Sequence, residues 1–143
     1  MPHLTLEYSA NLQDTGKLKI LCSKLARCLI DHKADGKAVY PLGGTRVRAL
    51  RADDYCIGDG SLEAAFVHGT LKIASGRSEQ TKKATGDALF AVMTEHFTPI
   101  QEQTGLALSL EVTEFSETGT WKHNNLHARF RAQADATGNG SSH

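Results

Sequence analysis

The chain begins Met1-Pro2-His3-Leu4, and those four residues run straight into an alternating segment. Removal of Met1 would leave Pro2 as a free secondary amine, a compact base or nucleophile at the very start of the protein. An unperturbed α-amino group titrates near pH 8, roughly, so such an amine is partly neutral at physiological pH. Burial or nearby cations would lower that value further, because both disfavour the charged form. Three arginines have the right chemistry to work beside it. Arg77 sits in Gly76-Arg77-Ser78, between a strand pattern and a helix pattern. Backbone N–H groups at the helix start and an arginine fork together suit a carboxylate, although a solvated surface arginine is the plain alternative. Arg46 and Arg48 share one face of a strand, where paired cations are costly unless they are solvated or meet an anion. Intersubunit salt bridges would satisfy them equally well.

The elements that must position these groups follow from periodicity. His3 to Tyr8 alternates with Leu4, Leu6 and Tyr8 on one face, a first strand. From about Thr15 to His32 the apolar residues Leu18, Leu21, Leu25 and Leu29 fall at helical spacing, and Asp31 to Gly36 reads as a polar link. Thr45 to Arg51 alternates again, after a Gly43-Gly44 pair that marks a bend or a close backbone approach. Strand, helix, strand over residues 2–51 is a βαβ unit with parallel strands.

After a loop around Ala52–Gly60 the plan repeats over 64–114. Ala65 to Ile73 is a third strand, and Ser78 is an N-cap with Glu79 in the first turn. The helix is expected to run to about Gln103, with Gly105 as its C′ stop, followed by a strand from Leu106 to Val112. The fold class is α+β: two tandem βαβ units in a four-stranded mixed sheet, with both helices on one face as right-handed crossovers require. The uncovered face carries Phe66 and is a motive for oligomerisation. Residues 1–131 read as a single domain, with 115–131 as a terminal segment containing a short hairpin and a short helix or strand. The small, polar stretch 132–143 is expected to be disordered.

Composition excludes several classes. Lys+Arg and Asp+Glu both number 16, so the net charge is zero, which argues against nucleic acid as a partner. No apolar run approaches the ~20 residues of a membrane span. Cys22, Cys28 and Cys56 lack metal-type spacing and read as reduced thiols, and no signal peptide is visible, so the expected location is cytoplasmic. His123 and His127 are four apart but have no acidic or cysteine companion at a matching position. Neither a metal nor an organic cofactor is expected.

Taken together, Met1-Pro2-His3, the duplicated βαβ plan, Tyr40-Pro41-Leu42-Gly43-Gly44-Thr45-Arg46-Val47-Arg48 and Leu71-Lys72-Ile73-Ala74-Ser75-Gly76-Arg77-Ser78 resemble the 5-carboxymethyl-2-hydroxymuconate isomerase family. The closing Asn124-Asn125-Leu126-His127-Ala128 is similar to that family too, and the likeness covers about residues 2 to 130. The resemblance implies a tautomerase-superfamily fold assembling as a homotrimer, with Pro2 as general base. Arg77 takes the place of the turn arginine, and Arg46 or Arg48 that of the strand arginine. A small carboxylated 2-hydroxymuconate-type dienol is the implied substrate, ketonised during aromatic-compound catabolism. The second βαβ unit has no chain start and offers no second amine. The alternatives are a non-catalytic trimeric binding protein of this fold, or a related proline-dependent decarboxylase or dehalogenase. Gly69 and Ser75 depart from the expected pattern and leave substrate choice open.

Overall fold

The computed structural model describes residues 1–141. Strand β1 (His3–Ser9) buries Leu4, Leu6 and Tyr8, as the alternation predicts. A 3-10 turn, Ala10–Leu12, leads to helix α1 (Leu18–Asp31), which buries Leu18, Leu21, Leu25 and Leu29 along one stripe. The helix starts three residues later than the pattern suggested because Lys17 takes a left-handed conformation, φ 50°. The expected polar link folds into a small hairpin, β2 (Lys33–Ala34) and β3 (Lys37–Ala38). Its turn is Asp35-Gly36, both at positive φ (53° and 77°), the geometry that two-residue hairpins require.

A 3-10 turn, Leu42–Gly44, precedes β4 (Arg46–Ala52). Strand β5 (Ala64–Ala74) follows, then helix α2 (Glu79–His96), whose N-cap Ser78 accepts the Thr81 N–H at 3.1 Å. The predicted single helix to Gln103 instead breaks at Phe97 and resumes as the short α3 (Thr98–Gln101). Pro99 is the reason, since it cannot donate to the helical ladder and restricts the residue before it. Gly105 is the first residue of β6 (Gly105–Phe115) rather than a helix stop.

The four long strands form one mixed sheet in the order β4-β1-β5-β6. β1 runs parallel to β4, pairing His3 with Arg46, and antiparallel to β5, pairing Leu4 with Leu71; β5 runs parallel to β6. The core lies between the sheet and α1 and α2, where Val67, Leu71 and Ile73 meet Leu21, Leu89 and Met93. Each fully buried apolar side chain contributes about 1.5–3 kcal/mol. This tautomerase-like α+β architecture agrees with the sequence expectation.

The open sheet face is mixed, carrying His3, Glu7, Arg48, His68, Lys72 and Glu111 by register beside the apolar Phe66 and Leu50. The stretch from Ala132 continues helix α4 (Leu126–Ser141) instead of lying disordered; positions 142–143 lie outside the described residues. Ala128, Ala132, Ala134 and Ala136 supply helix propensity there, and Asn124 caps the start by accepting the Leu126 N–H at 3.0 Å. No strand forms between Glu117 and Lys122. No helix among the described residues is long and apolar enough to cross a membrane.

Candidate active site

The sheet topology gathers one set of strand ends. The starts of β1 and β4 and the ends of β5 and β6 lie together, because β1 is parallel to β4 and antiparallel to the β5–β6 pair. Pro2 is buried at that end, and its carbonyl accepts the Arg46 N–H at 3.0 Å, extending the β1–β4 pairing to the chain start. Gly44 is pressed against Met1 and Pro41: a Cβ there would lie 3.1 Å from Met1 Cγ and 2.9 Å from Pro41 Cγ. The close backbone approach read from the Gly43-Gly44 pair is therefore an approach to the amino terminus itself.

Arg77 follows Gly76, whose φ of 106° an L side chain would resist. The guanidinium donates to the Ala74 carbonyl at 3.1 Å and to the Val39 carbonyl at 3.1 Å. It also stacks 4.8 Å over the Tyr40 ring. Tyr40 is held from below, since its buried hydroxyl pairs with Thr85 Oγ1 at 2.7 Å. These contacts use two of the five guanidinium N–H groups and leave three for other partners. Arg46 is braced by a 3.2 Å bond to the Gly43 carbonyl.

The electrostatics show where these cations act. The Met1 amine is held below the ordinary α-amino value of about 8, first by burial, then by Lys122, Arg77 and Arg46. Arg48 is not among those causes. It donates to His3 Nδ1 at 3.2 Å, and burial followed by Arg48, Arg46 and the chain-start amine pushes the His3 imidazole down. None of the ion pairs formed among the described residues involves Arg46, Arg77 or Lys122. A chain-start amine thus meets three cations with no carboxylate to neutralise them. Such a place suits an anionic ligand and keeps an amine neutral.

The structure therefore brings together Pro2, Arg46 and Arg77, and sets Arg48 one strand position pair further along, against His3. Sequence reasoning missed Lys122, which stands over the Phe115 ring with Nζ 5.4 Å from its centroid. The nearest signal was the family-like Asn124–Ala128 run two residues beyond it. Trp121 is 87 % exposed.

A duplicated βαβ sheet of this order is the tautomerase type of fold, and comparison with known proteins narrows it. The family model of 5-carboxymethyl-2-hydroxymuconate isomerase matches residues 2–130. The chain belongs to that family and is an isomerase. It is 36 % identical over 131 residues to the 5-carboxymethyl-2-hydroxymuconate Delta-isomerase of Escherichia coli, covering 92 % of this chain and 100 % of that one. Among solved structures, a 5-carboxymethyl-2-hydroxymuconate isomerase from Deinococcus radiodurans R1 superposes with a TM-score of 0.82 at 50 % identity, covering 91 % of this chain and 94 % of that one. A second 5-carboxymethyl-2-hydroxymuconate delta-isomerase gives 0.85 at 31 % identity, covering 91 % and 93 %. A fused 4-OT symmetric trimer, 13 % identical with a TM-score of 0.54, bears on the fold alone.

Proposed function

We propose that, once Met1 is removed, the Pro2 amine is the general base of a ketonisation acting on a carboxylated 2-hydroxymuconate-type dienol in aromatic-compound catabolism. The observation that carries this reading is the convergence of Arg46, Arg77 and Lys122, all without acidic partners, on the chain start. Neutral Pro2 takes a proton from the enol hydroxyl, and the released charge delocalises as a dienolate. The same nitrogen then returns that proton to a carbon of the conjugated system, which leaves a ketone and a shifted double bond. No oxidant or reductant enters the balance. Arg77 and Arg46 pair with the substrate carboxylate and stabilise the dienolate charge. Arg46 is preferred over Arg48 as the strand arginine because its charge acts on the amine, whereas Arg48 is engaged with His3.

The proposal extends to a cytoplasmic homotrimer. Both β4 and β6 are edge strands with a row of unpaired backbone groups, and β6 is eleven residues long. Edges of that length invite pairing with another copy, and a head-to-tail contact between unlike edges closes into a ring. The test is ultraviolet kinetics on such dienols with protein shown by intact mass to lack Met1, wild type beside Pro2→Ala. Fast ketonisation that collapses in the variant is the expected result. No turnover by Met1-free protein on any dienol overturns the reading.

One observation favours a second reading. The Met1 side chain is itself seated against Gly44 and, through its sulfur, Asn124. If Met1 is retained, Pro2 has no basic nitrogen and the protein is a carboxylate-binding member of the fold. Intact mass separates the two.

A further inference from the structure

Arg77 owes its direction to residues that take no part in the proton transfer. Its own turn offers little guidance, because Gly76 lies at φ 106° and both Ser75 and Gly76 are exposed. Of the three contacts that hold the guanidinium, only the bond to the Ala74 carbonyl comes from that turn. The other two come from the adjacent pair Val39 and Tyr40, through the Val39 carbonyl and the Tyr40 ring. The β2–β3 hairpin delivers that pair. Directly beyond its Lys33–Ala38 pairing, the Val39 N–H donates to the His32 carbonyl at 3.1 Å, which fixes where Val39 and Tyr40 leave the hairpin.

The ring itself has little freedom. Tyr40 is buried, and its hydroxyl lies 2.7 Å from the Oγ1 of Thr85, which is buried too and donates to the Thr81 carbonyl of α2 at 3.0 Å. The His32 ring stacks 6.1 Å away at an interplanar angle of 28°. The tyrosine hydroxyl is thereby engaged inside the protein, and what Tyr40 offers Arg77 is a ring face. A cation is attracted to such a face by the ring quadrupole. Two carbonyl bonds and a ring face restrict the plane of the guanidinium, and a guanidinium meets a carboxylate bidentately only in that plane.

We propose that Tyr40 is a positioning residue: its ring sets the plane of the Arg77 guanidinium, and Thr85 locks the ring. The relay runs from α2 through Thr85 and Tyr40 to Arg77, and it never touches the substrate. It rests on the reading above in taking Arg77 as a substrate-binding group. Misdirection of that group by even about an ångström weakens its part in catalysis, so the relay governs activity without supplying a reacting atom.

The test is a double-mutant cycle on Met1-free protein, read by dienol kinetics and by NMR. In wild type the Arg77 Nε–H proton, assigned by its loss in Arg77→Lys, should resonate upfield of exposed arginines through the Tyr40 ring current. Tyr40→Phe keeps the ring and should keep that shift, with KM within about threefold of wild type. Tyr40→Leu keeps apolar volume without the face. It should lose the shift and raise KM about threefold to thirtyfold, with kcat falling less. In an Arg77→Ala background, Tyr40→Leu should change KM by less than about twofold, because it acts only through the arginine. A merely structural tyrosine would lower activity by the same factor in both backgrounds. Thr85→Val leaves the ring in place but unlocks it, and should raise KM less, an effect that also vanishes without Arg77. It decides the question if Tyr40→Leu does not fold. Additive losses in the cycle, an unshifted Arg77 proton in wild type, or Tyr40→Phe as impaired as Tyr40→Leu overturns the proposal. If wild type turns over no dienol, the Pro2 reading falls and the NMR decides alone: loss of the shift in Tyr40→Leu upholds the positioning of Arg77, and its persistence overturns it.

Discussion

Replacing Gly43 with alanine tests how the candidate site is closed. The added methyl would lie 2.8 Å from both the backbone nitrogen and Nδ1 of His127 and 3.0 Å from its Cα. Two of those atoms are backbone, so relief requires α4 to move by several tenths of an ångström or to leave its seat. Overpacking of this kind costs about 1–3 kcal/mol. The helix has little to resist with: it rests chiefly on the Leu42–Gly44 turn, and its large apolar residues Leu126 and Phe130 are each still 36 % exposed. Partial burial of two such side chains is worth about 1–2 kcal/mol each before ordering costs. The helix should therefore undock while the sheet stays intact. Hydrogen exchange read by mass spectrometry should show residues 124–137 losing protection and β1 and β5 keeping theirs. The urea midpoint should change by the equivalent of about 1 kcal/mol or less. If α4 stays as protected as in wild type, the glycine gap is not what seats it. If β1 and β5 lose protection in step, α4 is integral to the core and the reasoning fails.

Three further outcomes are expected. In the buried Tyr40–Thr85 pair, Thr85 already donates to the Thr81 carbonyl at 3.0 Å, so the tyrosine hydroxyl is the donor to Oγ1. Thr85→Val should cost about 1–3 kcal/mol in urea denaturation by orphaning that hydroxyl, and Tyr40→Phe only about 0.5–1.5; equal losses would contradict the assignment. Arg46→Ala should lower kcat/KM by roughly tenfold to a hundredfold, the worth of a charge-assisted bond, and Arg48→Ala by less than about threefold; the reverse order would move the strand role to Arg48. The pH dependence follows if the Pro2 amine meets the burial and the Lys122, Arg77 and Arg46 charges that lower the Met1 amine, since only the neutral form is a base. In Met1-free protein kcat/KM should rise with pH and reach half its plateau below about pH 8, and added salt should move that limb upward by screening the cations. A limb at or above pH 8 would show that the cations do not govern the Pro2 nitrogen.

Much of the fold was legible because periodicity reports burial. Leu4, Leu6 and Tyr8 alternate, Leu18 to Leu29 repeat at helical spacing, and each pattern marks a face that must be covered. The Ser78 cap and the strand-to-helix position of Arg77 were likewise local facts. The break at Phe97 had a local signal in Pro99, but one outweighed by the apolar positions on either side. The choice between Arg46 and Arg48 was not local at all. They sit two residues apart on the same strand face, and only the parallel register with β1 puts Arg46 beside His3 and the chain start and Arg48 beside Thr5.

The closing segment was hardest to read for a related reason. Alone, Thr120 to Ala136 is polar, exposed and rich in alanine, and nothing in it demands a partner. Its placement is decided some eighty residues upstream, where Gly43 leaves room for the His127 backbone and Gly44 for Met1. A glycine pair therefore does two jobs that no periodicity encodes: it admits the amino terminus from one side and the carboxy-terminal helix from the other. Because both ends of the chain meet there, Lys122 acts on the Met1 amine and Asn124 donates to the Met1 sulfur, more than a hundred residues away in sequence. The tandem βαβ units build the sheet, but the site at its end depends on this junction. A change at Gly43 should consequently alter ligand affinity before it alters the stability of the sheet.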